Sequence, residues 1–546
     1  MTTPFHPGRR APVPNSLSDQ VISTAPSGPY RGFSVPVALG ALGAVVALFL
    51  WIILQADQAM AALTLGKEFT LSFFHSWFIY AISGFVGLCL CVAALPACGR
   101  IRLGADGERP EHSTPAWLSM ILCAGIGAGA LIYSVSEPLS HLALNPSVIN
   151  GSVEANSDAN ATLALSYTYL HWGLSAWACY TVLGLAIAYF GYRRRMPLTI
   201  RTALSPLLGR SYDGPLGDAI DVMSILAIIM GIATTLGYGV RQFVFGVNLI
   251  AASSTPSSPQ SMPDPLWQLA ALALAGAIAT TSALMGGIKV LSVLGAWLFA
   301  AVLIGFSFVG DLAAALERLA VSVWTYIASL PRNATHVAVA DGTERAQVMA
   351  AWQIDWTIFY WAWWIAFAPF VALFLARVSR GRSLRAFILG CMIAPVGVCA
   401  IWFSFVGGTA LDIQLDPAAG IDLQRVATGA QIYETIREIA APGIARFWSA
   451  IYAALLMLLL ITTLNAGILA INAIAAAGCE TRCVPHHIII WGAAVTAMIG
   501  SLIIAGGTEA IRNAMIIGAL PFSFVIALAG VCVAVSLARE LRRTRA

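Results

Sequence analysis

Charge is what this chain has least of. Only 10 % of its 546 residues are Asp, Glu, Lys or Arg, against about a quarter in a soluble globular domain. Its hydrophobic content is 59 %, with a mean hydropathy of +0.80. So few charges cannot cover a water-facing surface, so the chain reads as an integral membrane protein with little left over for a soluble catalytic domain. A basic face is also missing. The 30 Lys+Arg and 26 Asp+Glu leave +4, and the arginines sit in short loops, which excludes nucleic-acid binding as its main business. The ten cysteines are scattered, mostly inside apolar stretches, and form neither a disulfide framework nor a zinc pattern. Cys479 and Cys483, with His486 and His487 beyond, read as a loop or helix end. The first thirty residues lack the short apolar core of a signal peptide and read as a polar, Pro/Ser-rich cytosolic tail without order.

A bilayer span needs about 20 apolar residues, and twelve such stretches follow one another: 34-56, 70-95, 115-144, 160-191, 217-252, 266-286, 290-311, 352-376, 383-410, 447-476, 486-506 and 513-538. With the N-terminus inside, twenty-one Lys and Arg fall on inner segments and eight on outer ones, although the two longest loops are outside. Excess positive charge marks the cytoplasmic side, so both termini are placed in the cytoplasm. Arg241 is the one Lys or Arg left within a span. The outer loops 311-351 and 411-446 hold helical pieces, Leu312 to Leu330 and Ile421 to Ile439, expected to lie along the membrane surface. Five spans lie on each side of the first of these loops, with two extra in front. The expected organisation is a 1-33 tail, a 34-538 membrane domain (two leading helices, repeat one 115-311, repeat two 352-538) and a short basic 539-546 tail.

The third span holds Gly125, Gly127 and Gly129 at its centre. Glycines at i, i+2 and i+4 make no single packing stripe, so they predict close backbone approach or local unwinding, with a helix-packing surface as the plainer reading. The eighth span has Pro369 near its middle, so both halves open on a helix expected to be interrupted. Paired interruptions of this kind point to a midplane substrate site. Aromatic residues suggest its contents. The fourth span carries Trp172, Trp177 and Tyr180, and the eighth carries Trp356, Phe359, Tyr360, Trp361, Trp363, Trp364 and Phe367. Trp364 lies about 12 Å along the helix from Trp356, too deep for an interfacial belt. Core packing is the bland role for such a set. The sharper one is a box for a quaternary ammonium, each face contributing about 0.5 to 2 kcal/mol. No carboxylate accompanies the cluster in sequence, so a zwitterion is expected rather than a bare cation.

At these residues the sequence resembles the betaine/choline/carnitine transporter family. The run from Asp355 through Trp361, Trp363, Trp364 and Phe367 to Arg382 is similar to the family's signature. His171-Trp172 with Trp177 and Tyr180, the glycine run with Ser136-Glu137-Pro138, Ala233 to Gly237, and Gly287 to Ser292 support it. The resemblance implies an all-α membrane protein with twelve transmembrane helices, in which a five-plus-five inverted repeat (LeuT-like) follows two extra N-terminal helices. It also implies a homotrimer in membrane lipid that takes up a betaine-type small molecule by alternating access. Carried over by position, Trp172, Trp177, Tyr180, Trp361, Trp363, Trp364 and Phe367, with Gly127 and Gly129, would bind substrate. Phe367 stands where the family has Trp or Tyr. No cofactor is implied beyond a coupling sodium ion. That ion would rest on the carbonyls of Cys123 and Ile126 and the hydroxyls of Thr462 and Thr463, beside Leu459, and a second ion near Thr234, Thr235 and Phe370. Against sodium symport, Thr463-Leu-Asn-Ala466 resembles the sodium-independent carnitine exchangers.

Choline-selective relatives place an Asp at the position of Gly129, so glycine favours a zwitterion. Arg241 departs from the apolar residue expected there. It should have a partner, either a carboxylate such as Glu137 or the substrate carboxylate in an outer vestibule. The C-terminal run from Leu537 is too short for a long osmosensing helix, so osmotic activation is not expected, although uptake can still serve osmoprotection. An enzyme would need a nucleophile and base or a metal cluster, and His171 has no ligand-spaced companion in sequence. A channel would show charged or carbonyl rings.

Overall fold

A computed structural model describes residues 21–125, 127–251, 263–308, 312–479 and 484–543. Within them the chain is helical, and the β pairing consists of isolated bridges, Ala25 with Arg31 and Arg102 with Ser383. Helix is what a bilayer demands, since it bonds every backbone group within the segment. Ten helices are long and apolar enough to cross a membrane. The last, Pro485–Arg543, is two helices joined at Gly507, whose φ of 59° a side-chain-bearing residue seldom adopts.

Burial sorts these helices. In Asp158–Arg193 the apolar window is 94 % buried and in Glu344–Val378 83 %, whereas in Ile288–Ser307 it is 22 %. The first two therefore form the centre and the third part of the wall. A helix that is hydrophobic all round but buried belongs to the core of a bundle, and the first two are the helices that carry the tryptophans.

The third expected span is three pieces: Thr114–Gly125, Ala128–Ile132 and Ser136–Ala143. Gly127 is extended (φ −92°, ψ 157°) and Tyr133 ends the middle piece (φ −103°, ψ 5°). Carbonyls near the break find side-chain donors: Trp402 Nε1 donates to Ala130 O at 3.2 Å and Tyr452 Oη to Leu131 O at 2.7 Å. A break at this depth is tolerable only with such partners. The Pro369 expectation fails. Phe359–Val378 runs through Pro369 as one helix, entered by a π-helical turn at Ile354–Ile358. A proline removes one backbone donor, which kinks a helix without having to end it. The fourth span breaks instead, at Gly173 (φ −91°, ψ −138°) between Asp158–Trp172 and Leu174–Ala188. A Cβ at Gly173 would lie 2.4 Å from Tyr169 O and 2.6 Å from the Tyr326 hydroxyl.

The first outer-loop helix is present as Leu312–Thr335, and the second is shorter than the expected Ile421 to Ile439: a short 3-10 turn at Leu423–Arg425 precedes the helix Gln431–Ile439. The disorder expected over 1-33 does not extend to 21–33. Phe33 is fully buried and stacks on His487 at 4.0 Å, and the Nε2 atoms of His486 and His487 each lie 3.1 Å from Pro29 O. Both histidines of the Cys/His cluster thus hold the leading segment, while Cys483 lies outside the described residues. At the other end, the helix continues to Arg543, and Glu540 accepts from Arg193 Nε at 2.7 Å.

Candidate functional site

The aromatic residues meet where the broken third span, the Gly173 break and the Phe359–Val378 helix converge. Trp363 and Trp364 lie nearly parallel, with centroids 5.1 Å apart and planes at 10°. Trp172 stands across them, at 69° and 4.9 Å to Trp364 and at 78° and 6.1 Å to Trp363. Tyr180 is edge-on to Trp177 at 5.4 Å and to Trp364 at 6.4 Å. Indole faces at right angles form the corner of a cage, whereas a mere stack would leave no interior. The break at Gly173 supports this corner: His171 O accepts from Trp364 Nε1 at 2.8 Å, fixing that ring.

Gly129 is required by sterics here. A Cβ would sit 3.0 Å from both Trp172 Cη2 and Trp363 Cη2, so any side chain presses on two cage walls. At Gly127 a Cβ would meet only a backbone nitrogen at 4.0 Å and the φ of −92° is open to any residue, so neither space nor backbone requires a glycine there.

These walls belong to a cavity of about 690 Å³. Of the expected substrate residues, Gly127, Gly129, Trp172, Trp177, Tyr180, Trp363, Trp364 and Phe367 line it. Trp361 does not: it is fully buried in packing on the other side of its helix. Of the expected sodium residues, Thr235, Phe370, Thr462 and Thr463 line the same cavity. Thr234 and Leu459 do not, the Thr234 hydroxyl donating to Met230 O at 3.1 Å. Ile126 lies outside the described residues, and of Cys123 only the helical backbone is described. Asn465 turns away from the cavity and donates to Ala279 O at 3.2 Å. Lys289, on an expected inner segment, and Ser119 and Met120, near the inner end of the third expected span, also line it. On the opposite side Tyr133 packs on Tyr360 (5.5 Å), Trp363 (5.8 Å), Tyr238 (6.1 Å) and Phe359 (6.2 Å), an aromatic roof.

Three expectations need correction. A carboxylate does accompany the aromatics. Glu137, fully buried, accepts from Trp172 Nε1 at 2.7 Å and from the Tyr360 hydroxyl through Oε2, and Oε1 lies 2.6 Å from His171 Nδ1 and 3.4 Å from His141 Nε2. His171 therefore does have ligand-type companions: one atom each of Glu137, His141 and His171 lie within 4.8 Å of one another. The sequence hid this because 34 residues separate Glu137 from His171, and the break at Gly127 decides which way the Ser136–Ala143 helix points. Arg241, expected near Glu137 or the substrate, donates to Thr508 Oγ1 at 3.3 Å, lies over Phe245 at 5.9 Å and does not line the cavity.

A buried, ligand-sized, aromatic cavity where membrane helices are broken defines a membrane carrier. Residues 36–545 match the family model described as BCCT, betaine/carnitine/choline family transporter, and the chain belongs to that family. It is 31 % identical over 500 residues to the glycine betaine transporter OpuD of Bacillus subtilis, covering 91 % of this chain and 93 % of the relative. It is 30 % identical over 489 residues to a glycine betaine transporter of Acinetobacter baylyi, covering 89 % and 70 %. The high-affinity choline transport protein of Escherichia coli K12 is 31 % identical over 471 residues, covering 85 % and 67 %.

Proposed function

We propose that this protein takes up a quaternary-ammonium zwitterion, glycine betaine or a related betaine, by alternating access coupled to sodium. The observation that carries this reading is the right-angled indole cage of Trp172, Trp363 and Trp364 around Gly129, in a cavity that also reaches the hydroxyls of Thr462 and Thr463. Quaternary ammonium groups donate no hydrogen bond and are held by π faces. Trp363 Nε1, buried and without an acceptor among the described residues, is a donor available to a substrate carboxylate. Two relatives named as glycine betaine transporters support the substrate class. Thr462 donates to Leu459 O at 3.0 Å, which leaves its oxygen lone pairs for a hard cation.

Twelve crossings follow if the broken third span counts as one and the helix kinked at Gly507 as two, an arrangement that accommodates the five-plus-five inverted repeat. With both termini cytoplasmic, the mouth of the cavity at Ser119 and Lys289 faces inward beneath the Tyr133 roof, as in the inward-open stage of the cycle. Assembly as a homotrimer in a bacterial inner membrane is part of the same reading. The alternatives are a sodium-independent exchanger, drawn from Thr463-Leu-Asn-Ala466, and choline uptake.

The test is uptake of labelled glycine betaine into proteoliposomes, under an inward sodium gradient and, separately, in potassium with carnitine preloaded. Concentrative uptake that requires sodium, and that is lost in Thr462→Ala with Thr463→Ala, is expected. Uptake that ignores sodium and needs internal substrate means exchange.

A further inference from the structure

The carboxylate behind the cage has more hydrogen-bond donors than a structural tie requires. Trp172 Nε1–H, the Tyr360 hydroxyl, His171 Nδ1 and His141 Nε2 converge on Glu137. An ionised carboxylate offers about four lone-pair sites and donates nothing, and four donors match it. Each histidine fulfils its part while neutral. His171 Nε2 lies 3.2 Å from the Thr357 hydroxyl, which can donate to it. His141 Nδ1 is buried with no partner among the described residues, so a second proton there would be an unpaired buried donor. Among the described residues no Lys or Arg pairs with Glu137. A buried charge inside a membrane bundle is costly and is kept where a counter-charge visits it.

We propose that Glu137 is an ionised positioning and specificity residue of the cage. Its carboxylate holds the Trp172 ring and, through that ring's N–H, places a fixed negative charge behind a π wall, which biases the cavity toward ligands of net positive charge. Glu137 and Tyr360 do not line the cavity, whereas Trp172 does, so Trp172 connects the charge to the ligand. An N–H donated to an anion increases electron density on the indole face, the property a cation senses. A bare quaternary ammonium, such as choline, gains from this charge in full. A zwitterion gains less, because its own carboxylate opposes the gain. The inference rests on the quaternary-ammonium reading above and adds to it that bare cations are ligands alongside betaines.

The experiment is calorimetric titration of the purified full-length protein in detergent with tetramethylammonium, choline and glycine betaine. Wild type, Glu137→Gln, Glu137→Asp, Trp172→Phe and Trp364→Leu are compared. In Glu137→Gln the affinity for tetramethylammonium and choline is expected to fall about fivefold or more and that for glycine betaine less than about twofold, with Glu137→Asp recovering most of the difference. Equal losses for all three ligands, or none, overturn the proposal, and a binding wild type then leaves the transport reading standing. A wild type that binds none of the three overturns both. If Glu137→Gln does not fold, Trp172→Phe answers the same question, since it keeps a π face and deletes the N–H on Oε2. It is expected to narrow the preference for tetramethylammonium over glycine betaine about threefold, and an unchanged preference overturns the proposal.

Discussion

Three spans carry this site, and two of them treat an interruption in opposite ways. The third span parts at Gly127 into short pieces, whereas Phe359–Val378 continues through Pro369. A proline withholds one donor, and a helix mostly buried in its bundle keeps its path past that loss. At Gly127 the φ of −92° is one any residue adopts, and the break stands where Trp402 and Tyr452 bond the carbonyls of Ala130 and Leu131 just beyond it. Interruption is thus decided less by the breaking residue than by the side chains that face it. The division of labour follows: the continuous helix presents a rigid pair of indoles, and the broken span delivers Gly129 and Glu137 to them.

The largest effect should come from the rigid side. Trp364→Leu removes one face and should weaken substrate affinity about tenfold, and Trp363→Leu with Trp364→Leu about a hundredfold, at 0.5 to 2 kcal/mol per face. Equilibrium binding measures both, and a double variant that binds like wild type would show the cage to be packing alone.

Next come the two glycines of the broken span. Gly129→Ala pushes a methyl against Trp172 and Trp363 at 3.0 Å. It should raise KM about three- to tenfold, corresponding to roughly 1 kcal/mol of overpacking. Gly127→Ala meets open space and an ordinary φ of −92°, so KM should be unchanged. Equal effects at the two positions would contradict the steric role of Gly129.

Tyr452→Phe tests the partners of the break. Deleting the hydroxyl that bonds Leu131 O should cost about 1 kcal/mol, because that carbonyl keeps the Ser134 hydroxyl (2.8 Å) and the Ser134 N–H (3.3 Å) as donors, and thermal unfolding in detergent reads it as a lowered Tm. The smallest effect is expected at Pro369→Ala. The helix already continues there, so Tm should stay equal or rise and uptake should persist. Loss of uptake would show that the proline has a role in movement that this conformation does not reveal.

Much of the architecture was legible because the bilayer imposes simple rules. Apolar length located the long apolar helices, although Ala56–Ala94 starts well before the expected residue 70 and Glu344–Val378 before the expected 352, and the mid-span tryptophans, misplaced for an interfacial belt, pointed to the cavity wall. Pro369 misled because propensity describes a helix in isolation, whereas most of this one is buried in the bundle. Gly173 went unnoticed because a lone glycine in an apolar run has many ordinary uses. What calls for a glycine there is the Tyr326 hydroxyl, more than 150 residues away, which accepts from Leu174 N.

The sequence by itself determined that this is a many-helix membrane protein, which helices carry the aromatics, and the resemblance that family membership then confirmed. Those properties depend on composition and on spacing along one helix. Tertiary structure alone decided that the indoles meet at right angles, that Trp361 turns away while Trp172 turns in, and that Glu137 stands behind the cage with two histidines. Such facts depend on where a broken helix re-aims its next turn, and a change of direction at one extended residue leaves no periodic trace in the chain.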